Sequence, residues 1–118
     1  MMSLLARLLG RSATTSGWIE ARELAAVLAT GPVPLVVDVR GADEFVGPLG
    51  HIAGAVNVPL PELGGRLAEL TARGGPMVMV CKTDRRSSAA AEQLRGAGAS
   101  DVMVLRGGME QWRALGLS

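Results

Sequence analysis

The chain of 118 residues has no tyrosine, one phenylalanine, one histidine and one cysteine. Each scarcity removes a class of function. A lone cysteine cannot close an internal disulfide. With His51 as the only histidine, it cannot complete a zinc site of the cysteine–histidine type either, so no metal is expected. Trp18, Phe45 and Trp112 are the only large rings, too few for a platform that stacks bases or sugars. An excess of one charge is also missing. Twelve basic residues face 11 acidic ones, a net charge of +1, which gives no electrostatic case for a nucleic-acid partner. No run of 18 apolar residues occurs, so no transmembrane segment is expected. An unpaired thiol suits a reducing environment, and a cytoplasmic location is the expectation.

What is present is enough for one packed domain. The chain is 48% hydrophobic and 19% charged, which separates it from disordered polar tracts. Residues 1–17 stand apart. Leu4, Leu5, Leu8 and Leu9 could line one side of a short helix beside Arg7 and Arg11. The run is too short and too interrupted for a secretory signal. A loosely docked tail, a docking helix or oligomer contact, and a surface anchor or cleaved leader all remain open for it. Residues 18–118 are expected to form a single domain.

Glycines and prolines divide that domain into short elements. Strands are expected at 18–19, 35–39, 55–58, 77–80 and 102–105. Helices are expected at 20–29, 61–70, 87–94 and 109–115, with one helical turn at 42–46. The runs LVVDV and MVMV are continuously apolar, as in strands covered on both faces. Alternation of strands and helices argues for an α/β layered domain with a mostly parallel sheet. In such folds, ligands sit outside the carboxyl ends of the strands. Asp38 and Arg40, Cys81, and Arg106 with Gly107 and Gly108 each follow an expected strand, so the fold gathers them at one edge.

The segment CKTDRRS, residues 81–87, is the most distinctive. It places the only thiol at the head of a turn that carries Lys82, Arg85 and Arg86. Ser87 and Ser88 suit a helix start. Inward-facing amides of a tight turn, the helix behind it and three cations would favour an ionised sulfur and attract an anion. Free cysteine is more commonly a small buried hydrophobe. Here the polar residues that follow Cys81 place its side chain at the loop mouth, as a nucleophile would be.

This loop resembles the active-site loop of the rhodanese-like sulfurtransferases, in which a cysteine begins a six-residue turn closed by an arginine. Two further blocks resemble that family: VVDVRGADEFVGPLGHIAGAVNVP upstream and VLRGGMEQW downstream. Together they run in family order over residues 35–112.

The resemblance implies a three-layer α/β domain with a central five-stranded sheet flanked by helices. It also implies a cysteine persulfide on Cys81, loaded from thiosulfate or a similar small anionic donor. The sulfur would pass on to cyanide, a thiol or an acceptor protein, with no cofactor. Lys82, Thr83, Asp84, Arg85, Arg86 and Ser87 would form the substrate loop, with Arg86 as its clamp. Asp38, Arg40, Glu44 and His51 would be supporting residues, Glu44 as a partner for Arg40 and His51 as a mainly structural group. Asn57, Gly54, Gly107 and Gly108 look like turn-shaping residues, and Trp112 like core.

The chain departs from the family in having Asp84 where many members have glycine. A left-handed backbone is expected there, with the carboxylate able to pair with Lys82 or Arg85 and weaken thiosulfate binding. Two rival readings stand beside transferase activity. A phosphatase of the same fold would need one more residue between cysteine and arginine than the four present here. A non-enzymatic persulfide carrier or protein-interaction module would need no turnover.

Overall fold

The computed structural model describes residues 17–118. The readings offered for the N-terminal segment therefore lie outside the described residues, apart from Gly17. The strands are β1 (Trp18–Ile19), β2 (Leu35–Asp38), β3 (Val56–Asn57), β4 (Met77–Val80) and β5 (Val102–Leu105). All pair in parallel, in the order β1-β5-β4-β2-β3. The helices are α1 (Ala21–Thr30), α2 (Ala42–Phe45), α3 (Leu60–Leu63), α4 (Leu67–Arg73), α5 (Arg85–Gly96) and α6 (Gly108–Ala114).

The pleat sends alternate side chains of each strand to opposite faces. On one face Ile19, Val36, Val78, Val80, Met103 and Leu105 pack against Leu24 and Val27 of α1 and Met109 and Trp112 of α6. On the other, Val37, Met77, Met79, Val102 and Val104 pack against Leu63, Leu70, Ala90, Ala91 and Leu94 from α3, α4 and α5. Both faces are thus covered, which is why the strands carry apolar residues without polar alternation. Fully buried Leu24, Leu63 and Leu94 each contribute about 1.5–3 kcal/mol by leaving water.

The strand order places a topological switch between β2 and β4. From β2 the chain crosses to β3 on one side, and from β4 to β5 on the other. The crevice beyond the carboxyl ends of these two strands is where such folds bind ligands. Val39 N–H donates to the Val80 carbonyl (2.8 Å), so pairing between the strands extends to the threshold of that crevice.

Two helices differ from the sequence expectation. The segment expected as one helix from 61 to 70 is α3 and α4 joined by a 3₁₀ turn at Gly64–Arg66. Two adjacent glycines, Gly64 and Gly65, weaken helical hydrogen bonding there. Leu63, Leu67 and Leu70 still meet the same core. Helix α5 begins at Arg85, two residues before the expected serine start, with Asp84 as its N-cap residue. The Asp84 carbonyl accepts from Ser88 N–H (2.9 Å), which leaves Ser87 inside the first turn and free to face the thiol.

Candidate active site

Cys81 follows β4 directly and continues its alternation. Met77, Met79 and Cys81 all point to the face covered by α5. The residue is 1% exposed. This corrects the expectation of a side chain at the loop mouth: the sulfur lies beneath the turn. It is not merely packed in hydrocarbon, however. The Ser87 N–H donates to Cys81 Sγ at 3.3 Å, and Ser87 Oγ stands 3.2 Å from it. Among the described residues, the Ser87 amide is the one that meets hydrogen-bond geometry toward the sulfur. The expected ring of several inward amides is thus represented by one amide and one hydroxyl.

The turn over the sulfur is held mainly by its main chain. Cys81 and Lys82 carbonyls accept from Met109 and Glu110 N–H at 2.9 and 3.0 Å. Gly108, at φ +55°, sits so close beneath the turn that a Cβ there would collide with the Thr83 and Cys81 carbonyls. Only glycine fits both the backbone and the gap. Asp84 has φ −151°, not the expected left-handed backbone, so this position makes no demand for glycine.

Ion pairs fix the surroundings. Arg86 donates two hydrogen bonds to Glu44, at 2.7 and 3.0 Å. Glu44 is therefore the partner of Arg86, not of Arg40 as expected. Its Oε1 also accepts from Gly41 N–H at 3.0 Å. The Arg86 guanidinium holds the Glu44 carboxyl at a pKa of about 2, down from its ordinary 4.5, against a smaller opposing effect of burial. Arg40 pairs with Asp38 instead, through Nε at 2.9 Å and Nη2 at 2.7 Å, with both side chains 1% exposed. Two charges removed from water need complete partners. Arg40 finds a further one in the Gly50 carbonyl (2.6 Å). Asn57 then donates to the Asp38 and Arg40 carbonyls, both at 2.9 Å, and locks the chain after β2.

Other expected residues fall into structural positions. His51 stacks on Phe45, with centroids 3.7 Å apart, and its Nδ1 lies 2.8 Å from the Phe45 carbonyl oxygen. Trp112 is core, as expected. Arg106 leaves the crevice: it pairs with Glu20 at 2.7 Å and lies over the Trp18 ring. Lys82 and Arg85 are exposed on the turn. Lys82 pairs at 3.8 Å with Glu110, a residue that the sequence reading did not single out, and not with Asp84. Its signal was its place two residues after the paired glycines. Beside the turn, a cleft of about 430 Å³ is lined by Arg40, Glu44, Pro48, Leu49, Lys82 and Glu110. Among the described residues, no helix is long and apolar enough to cross a membrane.

The parallel sheet and the helices on its two faces are shared with proteins of known structure. The chain belongs to the rhodanese-like domain family, which it matches over residues 20–115. It is 39% identical to Bacillus subtilis YqhL over 77 residues, which are 65% of this chain and 59% of YqhL. It is 39% identical to the Synechocystis protein slr1261 over 84 residues, 70% of this chain and 45% of that protein. The chain thus spans about half the length of these relatives. The thiosulfate sulfurtransferase GlpE of Pseudomonas putida is 40% identical over 82 residues, 68% of this chain and 70% of GlpE. Among solved structures, the Alr3790 protein of Anabaena superposes with a TM-score of 0.76 at 29% identity, over 85% of this chain and 79% of that one.

Proposed function

We propose that this protein is a sulfurtransferase that carries a sulfane sulfur as a persulfide on Cys81. The observation that carries the reading is the Ser87 N–H at 3.3 Å from Cys81 Sγ, in the turn at the sheet's switch point. That amide and the Ser87 hydroxyl can donate to a sulfur anion without reorganising, as an oxyanion hole donates to developing charge. The similarity to GlpE supports thiosulfate as a donor.

In the first half-reaction the Cys81 thiolate attacks the outer sulfur of thiosulfate. A new S–S bond forms, the old one breaks, and sulfite leaves with the bonding pair. Charge balances: a monoanion and a dianion give the persulfide anion and sulfite dianion. In the second, a thiophilic acceptor attacks the outer sulfur and the Cys81 thiolate is the leaving group. Cyanide gives thiocyanate, and a thiolate gives a new persulfide. Two half-reactions through a covalent intermediate predict ping-pong kinetics. Burial of all but 1% of Cys81 restricts attack to a small terminal atom, which a sulfane sulfur is. Arg86, tied to Glu44, acts as a clamp on the turn; Lys82 and Arg85 supply the local positive field.

Intact-mass spectrometry after incubation with thiosulfate tests the reading. One sulfur, about 32 Da, is expected on the wild-type protein and none on Cys81→Ser, since the thiolate is the nucleophile. Addition of cyanide should remove it with formation of thiocyanate. A wild-type protein that gains no sulfur from any donor would instead be a binding module. One that loads but does not turn over would be a carrier.

A further inference from the structure

The cleft beside the turn has a charge pattern that a pure thiosulfate site does not need. Lys82 is the turn's first cation, yet Glu110 stands 3.8 Å from it, and both side chains line the cleft. Both side chains are half exposed, 55% and 53%. At that distance and exposure the pair is loose and solvated, so neither charge is cancelled at close range. The position of Glu110 is not loose. Its backbone N–H donates to the Lys82 carbonyl at 3.0 Å, and Met109 N–H before it donates to the Cys81 carbonyl. Gly108 brings the start of α6 against the turn. The backbone of Glu110 is therefore fixed on the cleft wall by the same main-chain ties that hold the cysteine turn. The remaining cleft carboxylate, Glu44, is already matched by Arg86, and the wall at Pro48 and Leu49 carries no charge.

We infer that Glu110 is a specificity-determining residue that disfavours doubly charged donors in the cleft beside the cysteine turn, so the site is set for sulfane donors of lower charge. The inference rests on the sulfurtransferase reading and adds the charge class of the donor to it. A dianion entering past Glu110 meets twice the repulsion that a monoanion meets, while Lys82 offsets only part of it. Thiosulfate and methanethiosulfonate separate the two cases. They share the terminal sulfane sulfur and differ in replacing one charged oxygen by a methyl group. The methanethiosulfonate step balances in the same way: the Cys81 thiolate takes the outer sulfur, the S–S bond breaks, and methanesulfinate leaves with the pair.

Steady-state kinetics of the full chain with cyanide as acceptor, at low ionic strength, provide the test. Glu110→Gln is expected to raise kcat/KM for thiosulfate about three- to tenfold, and for methanethiosulfonate by roughly the square root of that factor, as single against double charge requires. The gain should lie in KM and should shrink as salt is added. Glu110→Lys, which also keeps an exposed polar side chain, should enlarge the difference between the donors. Equal gains for both donors, or no gain for either, would overturn the role of Glu110. If neither donor places a sulfur on wild-type Cys81, the sulfurtransferase reading falls and this inference falls with it. Loading with an unchanged donor ratio overturns only Glu110.

Discussion

Arg86 and Glu44 lie 42 positions apart in the chain and meet through two parallel hydrogen bonds of 2.7 and 3.0 Å. The pair joins the first turn of α5 to α2, and so ties the end of the cysteine turn to the segment that leaves β2. A fork-to-fork guanidinium–carboxylate contact is directional as well as attractive, which suits a clamp.

This clamp should make part of the stability acid-labile. The Glu44 carboxyl has a pKa of about 2 in the folded chain against an ordinary 4.5. A depressed carboxyl stabilises the fold above its unfolded value, and that contribution is lost as pH falls from about 4.5 toward 2. Both side chains are about one-third exposed, so solvent screening holds the contribution to about 1 kcal/mol. Glu44→Gln should therefore lower the melting temperature by about 4 °C at pH 7. The gap to wild type should narrow at pH 3, as thermal denaturation followed by circular dichroism would read. A gap that is constant with pH would remove the clamp from the stability of the fold.

Gly108→Ala should damage the site more than any exposed change in the turn. The added methyl would lie 2.6 Å from the Lys82 carbonyl carbon and closer still to two carbonyl oxygens, at a φ that side chains rarely adopt. Loss of about 2 kcal/mol or more is expected. Sulfur loading on Cys81 should slow as the turn is displaced. A variant as stable as wild type and loading at the same rate would show that the close approach is not required.

Lys82→Ala and Arg85→Ala should both raise the KM for thiosulfate and reduce its dependence on salt. The two should differ in size. Lys82→Ala also leaves Glu110 without its cation, whereas Arg85 makes no ion pair among the described residues. A several-fold rise is expected for Lys82→Ala and a smaller one for Arg85→Ala, measured as KM against ionic strength. Unchanged values in both variants would take these cations out of the site.

Much of the framework is legible in the sequence. All five strands are legible because apolar runs such as MVMV are bounded by glycine, proline or charge, and because alternation with helices dictates a parallel sheet. Cys81 stood out by solitude and cationic company. Its burial was legible too, in its alternation with Met77 and Met79, but the polar residues after it pointed the other way. The partner of Glu44 was not legible. Arg40 is the nearer cation in sequence, but Asp38 occupies it through a local hairpin of side chains, and only tertiary structure brings Arg86 across 42 positions. The start of α5 was misplaced because serine is a frequent cap, whereas here Ser87 meets the sulfur. Glu110 is marked in the sequence only by its place two residues after Gly107 and Gly108, and the contact of α6 with the turn gives it its partner.

The cysteine turn is anchored through peptide groups: two carbonyls accepting from α6, one amide aimed at the sulfur, and a glycine fitting beneath. Anchors of this kind are indifferent to the side chains at positions 82, 83 and 85, which face outward. The scaffold behaves like a socket with an exchangeable insert. Randomising those three positions should yield many variants that still fold and load sulfur yet favour different donors, so that new specificities can be sought without rebuilding the protein beneath them.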